Sequence, residues 1–183
     1  MKNFEQQCAI FTDLLLRYNK THNITGAKNA AKVQENIEDS IYPLQFLEQK
    51  QIKNAIDVGS GAGFPGFLLA LVMHDTHFTL FEPIKKKSAF LHLAKTLLHV
   101  ENITIASQRV EEHSGFTCDL ITSRAVTKSQ ELVKICRHFI TPQTKFLLYK
   151  GENVIKEVDN LQNYEIYSRG HRNYLLIKDV YGL

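Results

Sequence analysis

The sequence predicts an α/β protein with a doubly wound, mostly parallel seven-stranded sheet, an antiparallel edge hairpin and an N-terminal helical cap. Three observations predict it. From residue 54 onward, short apolar runs alternate with stretches of helical periodicity. A glycine cluster joins the first apolar run to the first of those helical stretches. Only Ser168-Arg169-Gly170-His171-Arg172 separates the last two runs, too short for a crossover, so they pair antiparallel.

The elements follow in order. Phe4, Cys8, Phe11, Leu15 and Tyr18 recur at steps of three and four, which predicts an amphipathic helix over 3–20. A turn-rich connection follows at 21–29. Val33, Ile37, Ile41, Leu44 and Leu47 continue a helical stripe, interrupted or kinked at Pro43. Strands are predicted near 54–58, 77–82, 103–107, 118–123, 145–149, 164–168 and 173–179, and helices at 64–73, 85–99, 127–139 and 152–162. No linker or repeat interrupts the chain, so residues 1–183 read as one domain, a cap (1–50) on a catalytic core (51–183).

Composition narrows the class. With 44% hydrophobic and 22% charged residues the chain can bury a core, and no apolar run is long enough to cross a bilayer. The N-terminus reads as a helix, not a signal peptide. Three separated cysteines, Cys8, Cys118 and Cys136, without a CxxC, predict core filler in a reducing cytoplasm. No His/Cys ligand set appears; His74, His77, His92 and His99 are expected at the surface or in packing, so no metal is expected. A net charge of +3 hints at an anionic partner and decides nothing alone.

The glycine cluster, Gly59-Ser60-Gly61-Ala62-Gly63-Phe64-Pro65-Gly66, is where a ligand would meet backbone. In doubly wound sheets ligands bind at the carboxyl ends of the strands, where the winding reverses. Gly61, Gly63 and Gly66 satisfy the dinucleotide fingerprint, and Gly59, Gly61 and Gly63 the pattern of many methyltransferases. Glu82, about 20 residues further on, suits a ribose diol in either case. Asp57 breaks the tie. A carboxylate before the loop opposes a pyrophosphate but suits the ammonium and sulfonium of S-adenosylmethionine. A Walker loop is excluded, since no Gly-Lys-Ser/Thr closes the run. The expectation is therefore a Rossmann-like, S-adenosylmethionine-dependent methyltransferase, with an NAD(P)-dependent oxidoreductase as the alternative.

Strand order places the remaining candidates. Residues 109–112, with Val110 and Glu111, would reach the adenine side. The fourth strand ends at Ser123 and Arg124, and an arginine after an apolar strand suits a cofactor carboxylate or a substrate phosphate. The fifth ends at Lys150 and Gly151.

Six segments in order, "YNKTHNIT", "DVGSGAGFPG", "FTLFEPIKKKSAFL", "QRVEE", "DLITSRAV" and "YKG", resemble the RsmG (GidB) family of bacterial small-subunit rRNA methyltransferases, from about Leu14 to Gly151. The resemblance implies a helically capped Rossmann-like fold and methyl transfer to N7 of one guanine in the 530 loop of 16S rRNA. Carried over by motif, the cofactor residues are Gly59, Phe64, Val110, Glu111 and Arg124. Another RNA or a small molecule is the alternative substrate. The family's Arg-His-x-x-Asp-Ser segment reads here Glu35-Asn36-Ile37-Glu38-Asp39-Ser40, keeping only Asp39 and Ser40, so no role for the basic pair carries over.

Guanine N7 has a free lone pair, so no general base is needed and alignment should dominate. Arg124 and Lys150 are the candidate catalytic residues. Arg17, Lys20, Lys85, Lys86, Lys87, Arg169 and Arg172 are the candidate RNA contacts, acting through phosphates. The lysine triplet opens a helix against its own dipole, a local cost that points to function. The expected partner is small-subunit rRNA or a ribosomal subunit, met by a monomer.

Overall fold

The computed structural model describes residues 3–124, 127–158 and 161–179. The chain enters through α1 (Phe4–His22), whose N-terminus is capped by Asn3, the side chain accepting from the Gln6 amide at 2.9 Å. It closes at Asn23, in the left-handed region at φ 47°. Asn19 organises the turn that follows. Its Oδ1 accepts from the Ile24 and Thr25 amides at 2.7 and 3.0 Å, and its Nδ2 donates to the carbonyls of Thr25 and Ala27. α2 (Ala30–Ile41) stops where Pro43 withdraws a backbone donor, and a 3-10 turn over Tyr42–Phe46 follows, as the predicted break requires.

The core alternates β1 (Asn54–Val58), α3 (Gly66–Val72), β2 (His77–Phe81), α4 (Lys85–Leu98), β3 (Ile103–Ala106), β4 (Leu120–Arg124), α5 (Ser129–Ile135) and β5 (Lys145–Lys150). The hairpin of β6 (Asn163–Arg169) and β7 (Arg172–Asp179) ends it. The strands form a single seven-stranded sheet in the order β3-β2-β1-β4-β5-β7-β6, with β1 to β5 parallel and β7 antiparallel to both neighbours. Winding reverses between β1 and β4, which pair from Ala55 with Leu120 to Val58 with Ser123. The crevice lies above that pair.

The two faces are clothed unequally. On one, α1 to α4 pack on the sheet around Phe11, Phe67, Phe78 and Phe90, all fully buried. Asn102 ties that face together, its Nδ2 donating to the carbonyls of Ala70, Met73 and Thr76. The other face is covered by α5 and short 3-10 turns around Ile56, Phe139, Phe146 and Leu175.

That thin layer is where the predicted helices need correction. The helix expected over 127–139 is α5, seven residues, then a separate 3-10 turn over Arg137–Phe139. Pro142 lies just beyond and the chain must be extended before it, which leaves little room for a longer helix. The helix expected over 152–162 is a 3-10 turn over Glu152–Glu157, and Asp159 and Asn160 lie outside the described residues. A first turn bearing β-branched Val154 and Ile155 after Gly151 has little helix propensity of its own.

Candidate active site

The glycine loop leaves β1 with three residues in the left-handed region: Gly59 at φ 71°, Gly61 at 58° and Gly63 at 95°. Gly59 and Ser60 both donate their amides to the Phe81 carbonyl, at 2.9 and 3.1 Å, which stitches the loop to the end of β2. Gly66 is required for a different reason. A Cβ there would stand 2.4 Å from Asp57 Cβ, so only glycine lets α3 start directly over β1.

Two carboxylates hold the loop from within. Glu82 accepts from the Gly61 amide and the Ile84 amide, both at 2.8 Å, and is 3% exposed. It thus ties the glycine loop to the entry of α4. Asp57 is fully buried; it accepts from Thr122 Oγ1 at 2.7 Å and from the Gly66 amide at 3.2 Å. Burial pushes its carboxyl above the usual range, against the pull of Thr122, Ser60, Gly66 and Arg124. Asp57 therefore lies beneath the loop rather than at its mouth, where the sequence placed it.

A cavity of about 280 Å³ opens beside the loop. Of the predicted cofactor residues, Gly59, Val110 and Glu111 line it, with Val110 buried and Glu111 exposed. Gly61, Gly63, Phe64, Glu82 and Arg124 surround the same end of the sheet without lining it. Pro83, Gln108 and Arg109 complete the near wall, and Thr127, Glu131 and Ile135 form the far one. The far wall went unpredicted, although its residues recur every four positions, the spacing of one helix face. Two larger hollows, each near 750 Å³, lie between α1 and α2 and at the amino edge of the sheet, away from the crevice.

Across the winding reversal, Arg124 leans toward the cap. Its Nη1 donates to Asn36 Oδ1 at 3.0 Å and reaches Asp39 Oδ2 at 3.4 Å, and its guanidinium lies 5.0 Å from the Phe64 ring centroid. Burial lowers its pKa, with Asp39 opposing. Asp39 also accepts from Tyr174 Oη at 2.8 Å, and Arg172 Nε approaches it at 3.8 Å. So Asn36, where the sequence departs from the resembled pattern, is in direct contact with a predicted site residue. Lys150 is occupied differently. Its Nζ donates to the Thr127 carbonyl at 3.1 Å and to Glu157 Oε2 at 2.7 Å.

The predicted RNA contacts form two groups. At the first, Lys86 donates to the His22 carbonyl at 2.9 Å and its own carbonyl accepts from Tyr18 Oη at 3.0 Å, so the end of α1 meets the start of α4. Arg17, Lys20, Lys85 and Lys87 are thereby gathered at one corner, with Arg17 paired to Asp13. Lys86 has a structural task there, satisfying a helix-end carbonyl. At the second, the β6–β7 turn brings Arg169 to Glu38 at 3.2 Å and over the Tyr42 ring at 5.0 Å, with Arg172 on Asp39. Both groups sit on the carboxyl edge. Among the described residues no cluster of His, Cys, Asp and Glu could hold a metal ion, and no helix is long and apolar enough to cross a membrane.

Comparison with known proteins shows the fold and the family. A putative O-methyltransferase from Klebsiella pneumoniae shares the fold, with a TM-score of 0.62 at 12% identity over 93% of this chain and 90% of that one. A T. thermophilus 16S rRNA methyltransferase solved with AdoMet and guanosine superposes with a TM-score of 0.64 at 14% identity, over 79% of this chain and 43% of that one. In sequence, the Ribosomal RNA small subunit methyltransferase G of Wolinella succinogenes is 44% identical over 93% of this chain and 87% of its own length. That of Campylobacter hominis is 45% identical, over 97% and 94%. Residues 4–177 match the family described as rRNA small subunit methyltransferase G, and the chain belongs to that family.

Proposed function

We propose that this protein transfers a methyl group from S-adenosylmethionine to N7 of a guanine in the 530 loop of 16S rRNA. The observation that carries the reading is the cradle at Gly59, where a left-handed backbone opens into a cavity walled by Val110 and Glu111. The cavity favours a nucleoside, with an apolar wall for a base and Glu111 to accept from polar edges. Family membership over 4–177 supports the small-subunit rRNA, and the guanine position follows the family resemblance.

The cofactor supplies an electrophilic methyl on a sulfonium. With it bound, the N7 lone pair would form the new N–C bond as the C–S bond broke, the electron pair staying on sulfur. No proton need leave the guanine first. This chain's residues therefore hold and align. The loop is set by Glu82 at the Gly61 amide and by the Phe81 carbonyl at the Gly59 and Ser60 amides, and Arg124 waits beside the winding reversal with Phe64 beneath it. The two basic groups on the carboxyl edge would grip phosphates on either side of the crevice. A single domain acting as a cytoplasmic monomer suffices.

The direct test is labelled methyl transfer to 16S rRNA and to small subunits from cells lacking their own enzyme, with borohydride and aniline cleavage locating the base. One modified guanine in the 530 loop is expected. Cofactor binding without transfer to either substrate would overturn the rRNA assignment.

A further inference from the structure

The far wall of the cavity stands on α5, an element that cannot stand by itself. A seven-residue helix is far below the length that holds in water alone. Its N-cap, Lys128, makes no side-chain capping bond. The missing cap comes from elsewhere in the chain. Glu157 Oε2 accepts from the Ser129 amide at 3.1 Å, from Ser129 Oγ at 2.9 Å and from Lys150 Nζ at 2.7 Å. Lys150 in turn holds the Thr127 carbonyl at 3.1 Å. Two residues beyond the crevice thus fasten the segment that presents Thr127, Glu131 and Ile135 to the cavity.

We infer that Lys150 and Glu157 form a clamp that positions Thr127 and α5 as the cofactor's outer wall, so that both are positioning residues and Lys150 is not part of the chemistry. The clamp is half-hidden, the side chains of Lys150 and Glu157 being 11% and 26% exposed, which shields the ion pair from full solvent screening. Of the two hydrogen bonds that Lys150 Nζ donates, one goes to the Thr127 carbonyl and the other to the carboxylate that caps α5. Release of the clamp lets the wall populate states that cannot close on a ligand, and apparent affinity falls by the fraction of molecules so displaced.

The inference rests on the S-adenosylmethionine reading of the cavity, and two readouts on the full chain separate the two. Hydrogen exchange at amides 127–135 reports the clamp, and calorimetric titration with S-adenosylmethionine reports the wall. For Glu157→Gln and Lys150→Met, exchange there should rise and Kd should weaken by about tenfold, with kcat at saturating cofactor within about threefold of wild type. Lys150→Arg, which can still donate to both Glu157 and Thr127, should keep Kd within about threefold. Should Glu157→Gln not fold, Lys150→Met carries the same test. A kcat loss of about a hundredfold in Lys150→Met with Kd unchanged would assign Lys150 to the chemistry and overturn the inference. Unchanged exchange, or faster exchange with unchanged Kd, would overturn it too. Wild-type protein that took no S-adenosylmethionine would sink the cofactor reading and this one with it.

Discussion

The two halves of the crevice are built on opposite plans. On the β1–β2 side, the loop is held by backbone amides that converge on two buried carboxylates, Asp57 and Glu82, all within one βαβ unit. On the β4–β5 side, the site residues are held through their own side chains by other elements: Arg124 by Asn36 and Asp39 of the cap, Lys150 by Glu157 and the Thr127 carbonyl. Backbone-held geometry tolerates almost no change in size, whereas side-chain-held geometry can be released without unfolding the sheet.

The largest effect should therefore come from Gly66→Ala. A methyl 2.4 Å from Asp57 Cβ must push α3 off β1, and thermal unfolding should show a stability loss of about 3 kcal/mol or more. Gly61→Ala sharpens the contrast. Its Cβ would meet only the Gly59 carbonyl at 3.8 Å, so the cost is that of a left-handed alanine, about 1–2 kcal/mol. A Gly66→Ala protein as stable as wild type would end the claim that this half is rigid.

Glu82→Gln comes next. Its amide turns an NH2 toward either the Gly61 or the Ile84 amide, leaving a donor facing a donor. Denaturant midpoints should report a loss of about 1–3 kcal/mol, with weaker cofactor binding alongside.

On the other half, Asp39→Asn should spare the fold and reduce methyl transfer, because Arg124 loses a charged partner while Asn36 and Phe64 still hold it. A drop in kcat/KM of roughly tenfold with a near-normal melting temperature is expected. An equal loss from Asp39→Asn in stability and in activity would erase the distinction between the halves.

The smaller effects test charge. Lys85→Glu and Lys20→Glu should weaken rRNA binding by about tenfold each and flatten its salt dependence by about one unit per lost phosphate contact, with cofactor affinity unmoved. For Glu157, burial alone would raise the carboxyl, but Lys150 and Ser129 outweigh it and hold it below the usual value. A depressed folded pKa contributes stability above the unfolded pKa and loses it as pH falls through the folded one. The stability gap between wild type and Glu157→Gln should thus be flat from about pH 6 to 8 and shrink below about pH 4.

Most of the sheet was legible because its signals are local. Each strand is an apolar run a few residues long, and the turn at Gly170 is too short for anything but a hairpin. The glycine loop was legible for the same reason, and so was the break at Pro43. The lysine triplet was legible as an anomaly but not as three different residues. Only contact with the end of α1 shows that Lys86 is spent on the His22 carbonyl. Asp57 was read as a ligand-facing charge, and its burial beneath Gly66 depends on how α3 packs, which no local pattern carries.

Six ordered segments carried the family resemblance; by itself, the chain's pattern of periods and glycines determined the fold class and the strand that carries the crevice. Those depend on backbone conformation and on which face of each element is apolar, properties encoded within a few neighbouring residues. The tertiary structure alone decided what holds Arg124 and Lys150 and which residues wall the cavity opposite Val110. Arg124 meets Asn36 across 88 positions of sequence, and Lys150 meets Thr127 across 23. Contacts of that separation exist only once packing has chosen which surfaces meet, because hydrogen bonds made by side chains follow distance in space and leave no periodic trace in the chain.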